Sequence, residues 1–150
     1  MLTRRLYNGQ ACPGRSGPNW EPSYAINVTP MRPLRIMVVE DDGLLAELLG
    51  EVLEGMGHAV CASEASEAGA VAAAIRCKPD LMVVDVRLGE GSGVSAVDRI
   101  QLKGPIPHIF VTGDIVGLKA LRPSAEALEK PFRDAELERS ITRVISAVAT

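Results

Sequence analysis

Aromatic residues are scarce, with one Trp, two Tyr and two Phe in 150 residues. Tyr7, Trp20 and Tyr24 all fall early in the chain, so whatever folds beyond them has only Phe110 and Phe132 and must build an aliphatic core. Cysteine is nearly as sparse. Cys12, Cys61 and Cys77 are odd in number and lack metal-ligand spacing, which argues against a disulfide framework or a zinc site and fits a reducing cytoplasm. No apolar run approaches the roughly 18 residues that cross a bilayer, so no membrane partner is expected. Nor is there a surplus of positive charge: a net charge of -3 and a pI of about 5.4 leave no footprint for nucleic acid.

What is present suits one globular domain. At 47% hydrophobic and 23% charged, the chain can bury a real core but is too short for two ordinary domains. Composition breaks near residue 33. Before it lie Pro13, Pro18, Pro22, Pro30 and Pro33 with Gly9, Gly14 and Gly17 and no hydrophobic period, so residues 1–33 are expected to be a disordered arm. Arg4, Arg5, Arg15 and Arg32 against Glu21 make that arm basic. A targeting peptide or a contact for an anionic partner would explain this, but no apolar signal core is present and an unstructured extension explains it equally. Met31, three residues before the ordered pattern, is an alternative start.

From Leu34 onward short apolar runs alternate with helical periods, the mark of repeated βα units and a parallel sheet. Residues 34–39, 59–62, 81–84, 108–111 and 125–129 are the strand candidates. The first and third are almost continuously apolar, as strands buried on both faces are. Leu45, Leu48, Leu49, Val52, Leu53 and Met56 mark a first helical face ended by Gly57. Ala68, Val71, Ala72 and Ile75 suggest a second, Val94, Val97 and Ile100 a third, and Ile115, Val116 and Leu118 a short fourth before Pro123. Leu137, Ile141, Val144, Ile145 and Val148 give the clearest helix, after which no room is left for an output domain. Right-handed crossovers then predict a doubly wound α/β fold with its site at the carboxyl ends of the strands.

Polar residues stand at four of those ends: Glu40, Asp41 and Asp42 after the first strand, Asp85 after the third, Thr112 after the fourth and Lys130 after the fifth. Carboxylates about 4 Å apart repel by roughly 4 kcal/mol per pair at an effective dielectric near 20. Mg²⁺ is the natural compensation, because it takes hard oxygen ligands, uses one or two carboxylates and leaves positions for phosphate oxygens. Lys130 supplies a second positive charge. An Asp carboxylate can attack phosphorus while these cations neutralise the equatorial oxygens and a hydroxyl donates to one of them, so the set is complete for phosphoryl acceptance. Each residue also has a plainer role. Asp42 can be the N-cap of the first helix, Thr112 a strand-end hydroxyl, Lys130 a surface charge beside Pro131 and Asp85 a turn residue. Their conjunction at successive strand ends favours the functional reading.

Ile36-Met37-Val38-Val39-Glu40-Asp41-Asp42, Leu81-Met82-Val83-Val84-Asp85, Phe110-Val111-Thr112-Gly113 and Lys130-Pro131-Phe132, in this order, resemble the receiver domain of two-component response regulators over residues 34–150. The resemblance implies a flavodoxin-like (βα)₅ fold, a five-stranded parallel sheet in a three-layer α/β/α arrangement. It implies Asp85 as phosphoacceptor, Asp41 as a direct Mg²⁺ ligand, Glu40 as a ligand acting mainly through water, and the Arg87 backbone carbonyl as a further ligand. Thr112 would follow the phosphoryl group on switching, and Lys130 would pair with it. Gly93 matches the glycine of the loop after the acceptor, whereas the family's common proline there is Gly89. Arg87 and Asp114 occupy positions that tune hydrolysis. The protein would assist its own phosphorylation and dephosphorylation rather than act as an enzyme on other substrates. A sensor histidine kinase or histidine phosphotransfer protein would be its partner, with a downstream protein target or a homodimer also open. With Trp20 in the arm, tryptophan fluorescence is expected to ignore Mg²⁺ and phosphorylation.

Two departures bear on switching. Ala127 stands where receivers place Tyr or Phe three residues before the lysine, and the short interval from Thr112 to Lys130 implies a reduced fourth helix. The Phe-x-Thr-Gly string without that aromatic is similar to single-domain receivers of alphaproteobacterial stress signalling. Rival readings fare worse. A haloacid-dehalogenase-like phosphatase needs a second acid where Arg87 stands, and a flavodoxin-like cofactor binder needs a phosphate cradle where Glu40-Asp41-Asp42 repels phosphate. His58 and His108 read as strand-edge residues, not as carriers, and Cys61 and Cys77 as buried or inert thiols. The remaining alternative is a protein-binding module that keeps the fold and works independently of phosphorylation.

Overall fold

The computed structural model describes residues 32–148. Apart from Arg32 and Pro33, the arm expected over 1–33, with Trp20, lies outside the described residues. The strands are β1 (Arg35–Val39), β2 (Ala59–Glu64), β3 (Leu81–Asp85), β4 (His108–Thr112) and β5 (Ala127–Glu129). They alternate with helices α1 (Gly43–Gly55), α2 (Glu67–Cys77), α3 (Gly93–Gln101), α4 (Ile115–Leu121) and α5 (Asp134–Val148). All strand pairs are parallel, in the order β2-β1-β3-β4-β5. The winding reverses between β1 and β3, which opens a crevice beyond their carboxyl ends.

The apolar runs decide the order of the sheet. Ile36–Val39 and Leu81–Val84 are fully buried, so β1 and β3 take the centre, covered by helices on both faces. Met37, Val39, Met82, Val84 and Phe110 pack with Ala70, Ala73, Ala96, Val97, Ile100 and Leu118 from α2, α3 and α4. On the opposite face, α1 and α5 bury Leu53, Leu137 and Ile141. Among the described residues, Phe110 is the one aromatic in a core otherwise made of aliphatic side chains and methionine.

Some helix faces differ from those the sequence suggests. In α2 the buried residues are Ala70, Ala73 and Ala74, while Ala68 and Ala72 are exposed and Ile75 is 52% exposed. Alanine on every side gives the hydrophobic period little amplitude, and small side chains let this helix lie close to the sheet, turning its largest apolar residue outward. In α1, Ala46 and Leu53 are buried, whereas Leu44, Leu45 and Leu48 are exposed. Val116 and Val148 are also exposed, and Ser140 is buried in α5. As the short interval implies, α4 has only 7 residues.

Candidate functional site

β1 delivers the first acids. Glu40 follows its last residue and is held in line by its N–H donating to the Glu64 carbonyl at 2.9 Å. Its carboxylate is buried, and Oε1 accepts the Asp42 N–H at 3.2 Å. Asp42 turns the other way: its side chain accepts from the N–H groups of Leu44 and Leu45 and caps α1, which is the plainer role foreseen for it.

β3 and β4 each run one residue further than their apolar runs, so Asp85 and Thr112 are placed by the sheet ladder and not by a loop. The Lys130 N–H donates to the Thr112 carbonyl at 2.8 Å, setting the lysine beside the threonine. Behind Asp85 the packing requires a glycine. A Cβ on Gly93 would stand 1.9 Å from the Asp85 carbonyl oxygen, which leaves no space for any side chain.

The three acids and the lysine converge. Oxygens of Glu40, Asp41 and Asp85 lie within 4.8 Å of one another. Lys130 Nζ donates to Asp85 Oδ2 at 2.6 Å and to Glu40 Oε2 at 3.4 Å, and the Arg87 N–H donates to Asp85 Oδ1 at 3.0 Å. Burial pushes the Glu40 carboxyl up to about 7, helped by its hydrogen bond to Asp85 and that neighbour's charge. For Asp85 burial acts upward too, but hydrogen bonds from Glu40, Lys130 and the Arg87 backbone outweigh it and hold the carboxyl below its usual range. Burial likewise opposes the Lys130 charge, and the two carboxylates override it to raise the ammonium's value.

One ammonium thus serves two buried acids, and without further charge one of the acids retains its proton. A hard divalent cation fits this donor set: two or three carboxylate oxygens on one side, open solvent at exposed Asp41 on the other. Glu40, Asp41 and Asp85 would hold it, and Arg87 follows Asp85 by two residues on the adjoining loop.

Thr112 is buried next to Lys130, but its hydroxyl oxygen accepts the Asp114 N–H at 2.9 Å in a local turn. Asp114 itself accepts from the Gly117 N–H and caps α4. Ala127 sits opposite Phe110 in the β4–β5 ladder. One residue near the site escaped the sequence reading. Glu67, at the start of α2, reaches the loop after Asp85 and receives hydrogen bonds from Ser92, Ser95 and Arg99. Its separation of 25 to 32 residues from these partners leaves no local signal.

Residues 36–142 match the response regulator receiver domain, and the chain belongs to that family. Among curated relatives it is 34% identical over 113 residues to protein-glutamate methylesterase/protein-glutamine glutaminase 2 of Anaeromyxobacter dehalogenans, covering 71% of this chain and 33% of that protein. It is 32% identical to the phyllosphere-induced regulator PhyR of Methylorubrum extorquens, covering 73% of this chain and 43% of that one. The chain therefore spans less than half the length of either relative. The solution structure of the Erythrobacter litoralis PhyR receiver domain superposes with a TM-score of 0.71 at 26% identity, covering 77% of this chain and 92% of the other. The anti-anti-sigma factor PhyR of Bartonella quintana gives 0.72 at 27% identity, covering 79% and 49%.

Proposed function

We propose that this receiver accepts a phosphoryl group on Asp85 from a histidine kinase or histidine phosphotransfer protein in a Mg²⁺-dependent phosphorelay. The observation that carries the reading is Asp85 itself: buried, bonded to Lys130 and the Arg87 amide, and grouped with Glu40 and Asp41. One oxygen of Asp85 attacks phosphorus, the P–N bond of the donor breaks, and the departing imidazole takes up a proton. Lys130 stays charged throughout and lies within reach of an equatorial oxygen. Bound Mg²⁺ would supply the remaining positive charge for the phosphoryl oxygens. In the phosphorylated state the Thr112 hydroxyl would leave Asp114 and donate to the phosphoryl group.

The output is a protein contact or the draining of phosphate from a shared kinase. The Phe110-Val111-Thr112-Gly113 string with Ala127, together with likeness to a PhyR described as a stress response regulator, supports a place among receivers of stress signalling. Loss of phosphate from Asp85 after transfer separates the two outputs, since a sink hydrolyses fast and a connector persists.

Amide NMR spectra with Mg²⁺ and acetyl phosphate or beryllofluoride test the proposal. Resonances around Asp85 should shift, and Asp85→Asn should abolish the change. Ala127 favours a second reading, binding that ignores phosphorylation, and an unchanged wild-type spectrum at saturating reagent would favour it over the first.

A further inference from the structure

The loop joining β3 to α3 carries Gly89, Gly91 and, at its end, Gly93, and no proline. Such a segment has the most backbone freedom to lose, so something outside it must fix its shape. Glu67 does so from α2. Its Oε2 accepts the Ser92 N–H at 3.2 Å, its Oε1 accepts Ser95 Oγ at 2.5 Å and Arg99 Nη1 at 3.4 Å, and its own N–H donates to the Glu90 carbonyl at 3.4 Å. Gly91, at φ +88°, lies against this side chain so closely that a Cβ would collide with it. Ser66 already caps α2, so Glu67 is not needed for that.

What the loop delivers is also specific. Ser92 pairs antiparallel with Arg87, whose N–H donates to Asp85 Oδ1 at 3.0 Å. Between them the Gly89 N–H donates to Asp41 Oδ2 at 2.9 Å, a donor that the family's common proline would lack. The segment is therefore a strap, anchored on α2 by one carboxylate and touching two of the three acids of the pocket.

We propose that Glu67 is a positioning residue: by anchoring residues 86–92 it aims the Gly89 amide at Asp41 and the Arg87 backbone at Asp85, presetting the divalent-cation pocket. The proposal rests on the reading of that pocket given above. Groups that orient metal ligands typically change metal affinity by about 10–100-fold when removed.

Mg²⁺ titration followed by amide NMR, on wild type and Glu67→Ala, is the test. The dissociation constant should rise about tenfold, with the Gly89 and Arg87 amides displaced before metal is added. Glu67→Gln, whose amide oxygen can accept the Ser92 N–H while its NH₂ donates to Ser95 Oγ, should restore most of the affinity. Ser95→Ala removes only the shortest bond and should weaken Mg²⁺ severalfold, which serves if Glu67→Ala does not fold. Variants that lower the denaturation midpoint but bind Mg²⁺ as wild type does would show a merely structural role and overturn the proposal. A wild-type domain that gives no Mg²⁺ response would instead overturn the reading of the pocket, and the proposal with it.

Discussion

Glu40 and Asp85 share a hydrogen bond and a single ammonium, and this shortage of positive charge governs how the site responds to pH. The proton on Glu40 persists to about pH 7 in the folded domain, against 4.5 for an unperturbed carboxyl. In the metal-free protein its contribution to stability is complete below the lower value and fades as pH rises through the upper one. A cation binding to the same carboxylate must displace that proton. Mg²⁺ affinity should therefore fall by about tenfold per pH unit below about 7, and should level off above it. Calorimetric titration at about pH 6 and about pH 8, in buffers of different ionisation heat, measures both the affinity and the released proton. Glu40→Gln should bind more weakly but with a nearly flat pH profile, and a wild-type profile equally flat would contradict the assignment.

At the scale of elements, α5 is tied to the sheet by more than its apolar face. Glu126, just before β5, accepts from buried Ser140 Oγ at 2.8 Å and from Arg143 Nη2 at 2.6 Å. Burial works against its charge, but the hydrogen bonds from Arg143 and Ser140 hold its carboxyl below the usual value. Glu126→Ala should cost about 1–2 kcal/mol in urea denaturation, because the buried serine hydroxyl loses its carboxylate acceptor and keeps only Arg143, a donor. The depressed value contributes stability above 4.5 that is lost as pH falls through the folded-state value, so the gap from wild type should narrow in acid. Ser140 was hidden from the sequence because it interrupts the Leu137–Ile141 stripe as any surface serine would. The strands were legible, since β1 and β3 are continuous apolar runs and the acids, threonine and lysine stand at their ends and those of β4 and β5. The α2 face was not, as alanines carry too little contrast, and Glu67 was not, as its partners are distant in the chain. Capping by Asp42 could be read from its place before a helical period; the turn that holds the Thr112 hydroxyl against Asp114 could not be told from a free hydroxyl.

Across the whole described domain, none of the helices is long and apolar enough to cross a membrane, yet α1 shows solvent three leucines, Leu44, Leu45 and Leu48, at 65%, 44% and 48% exposure. Leu45 and Leu48 also line a cleft of about 450 Å³ that continues past Val52 and Phe132 to Asp85 and Lys130. Asp85 is only 7% exposed, and on the proposed phosphorelay a donor imidazole would come over the rim of this crevice to reach it. Grouped apolar side chains on the surface of a monomer usually mark such an approach. No basic residue occurs on α1, whereas Glu47, Glu51 and Glu54 do, so the partner surface should combine apolar and positively charged groups. Leu48→Asp should leave stability within about 0.5 kcal/mol of wild type, as surface changes do. It should slow transfer from the protein donor by about tenfold, the equivalent of about 1.4 kcal/mol at an interface residue. Acetyl phosphate, too small to need α1, should label Asp85 in the variant as fast as in wild type. Equal slowing with both donors would mean that the substitution disturbs the pocket itself, and that the partner's approach lies elsewhere.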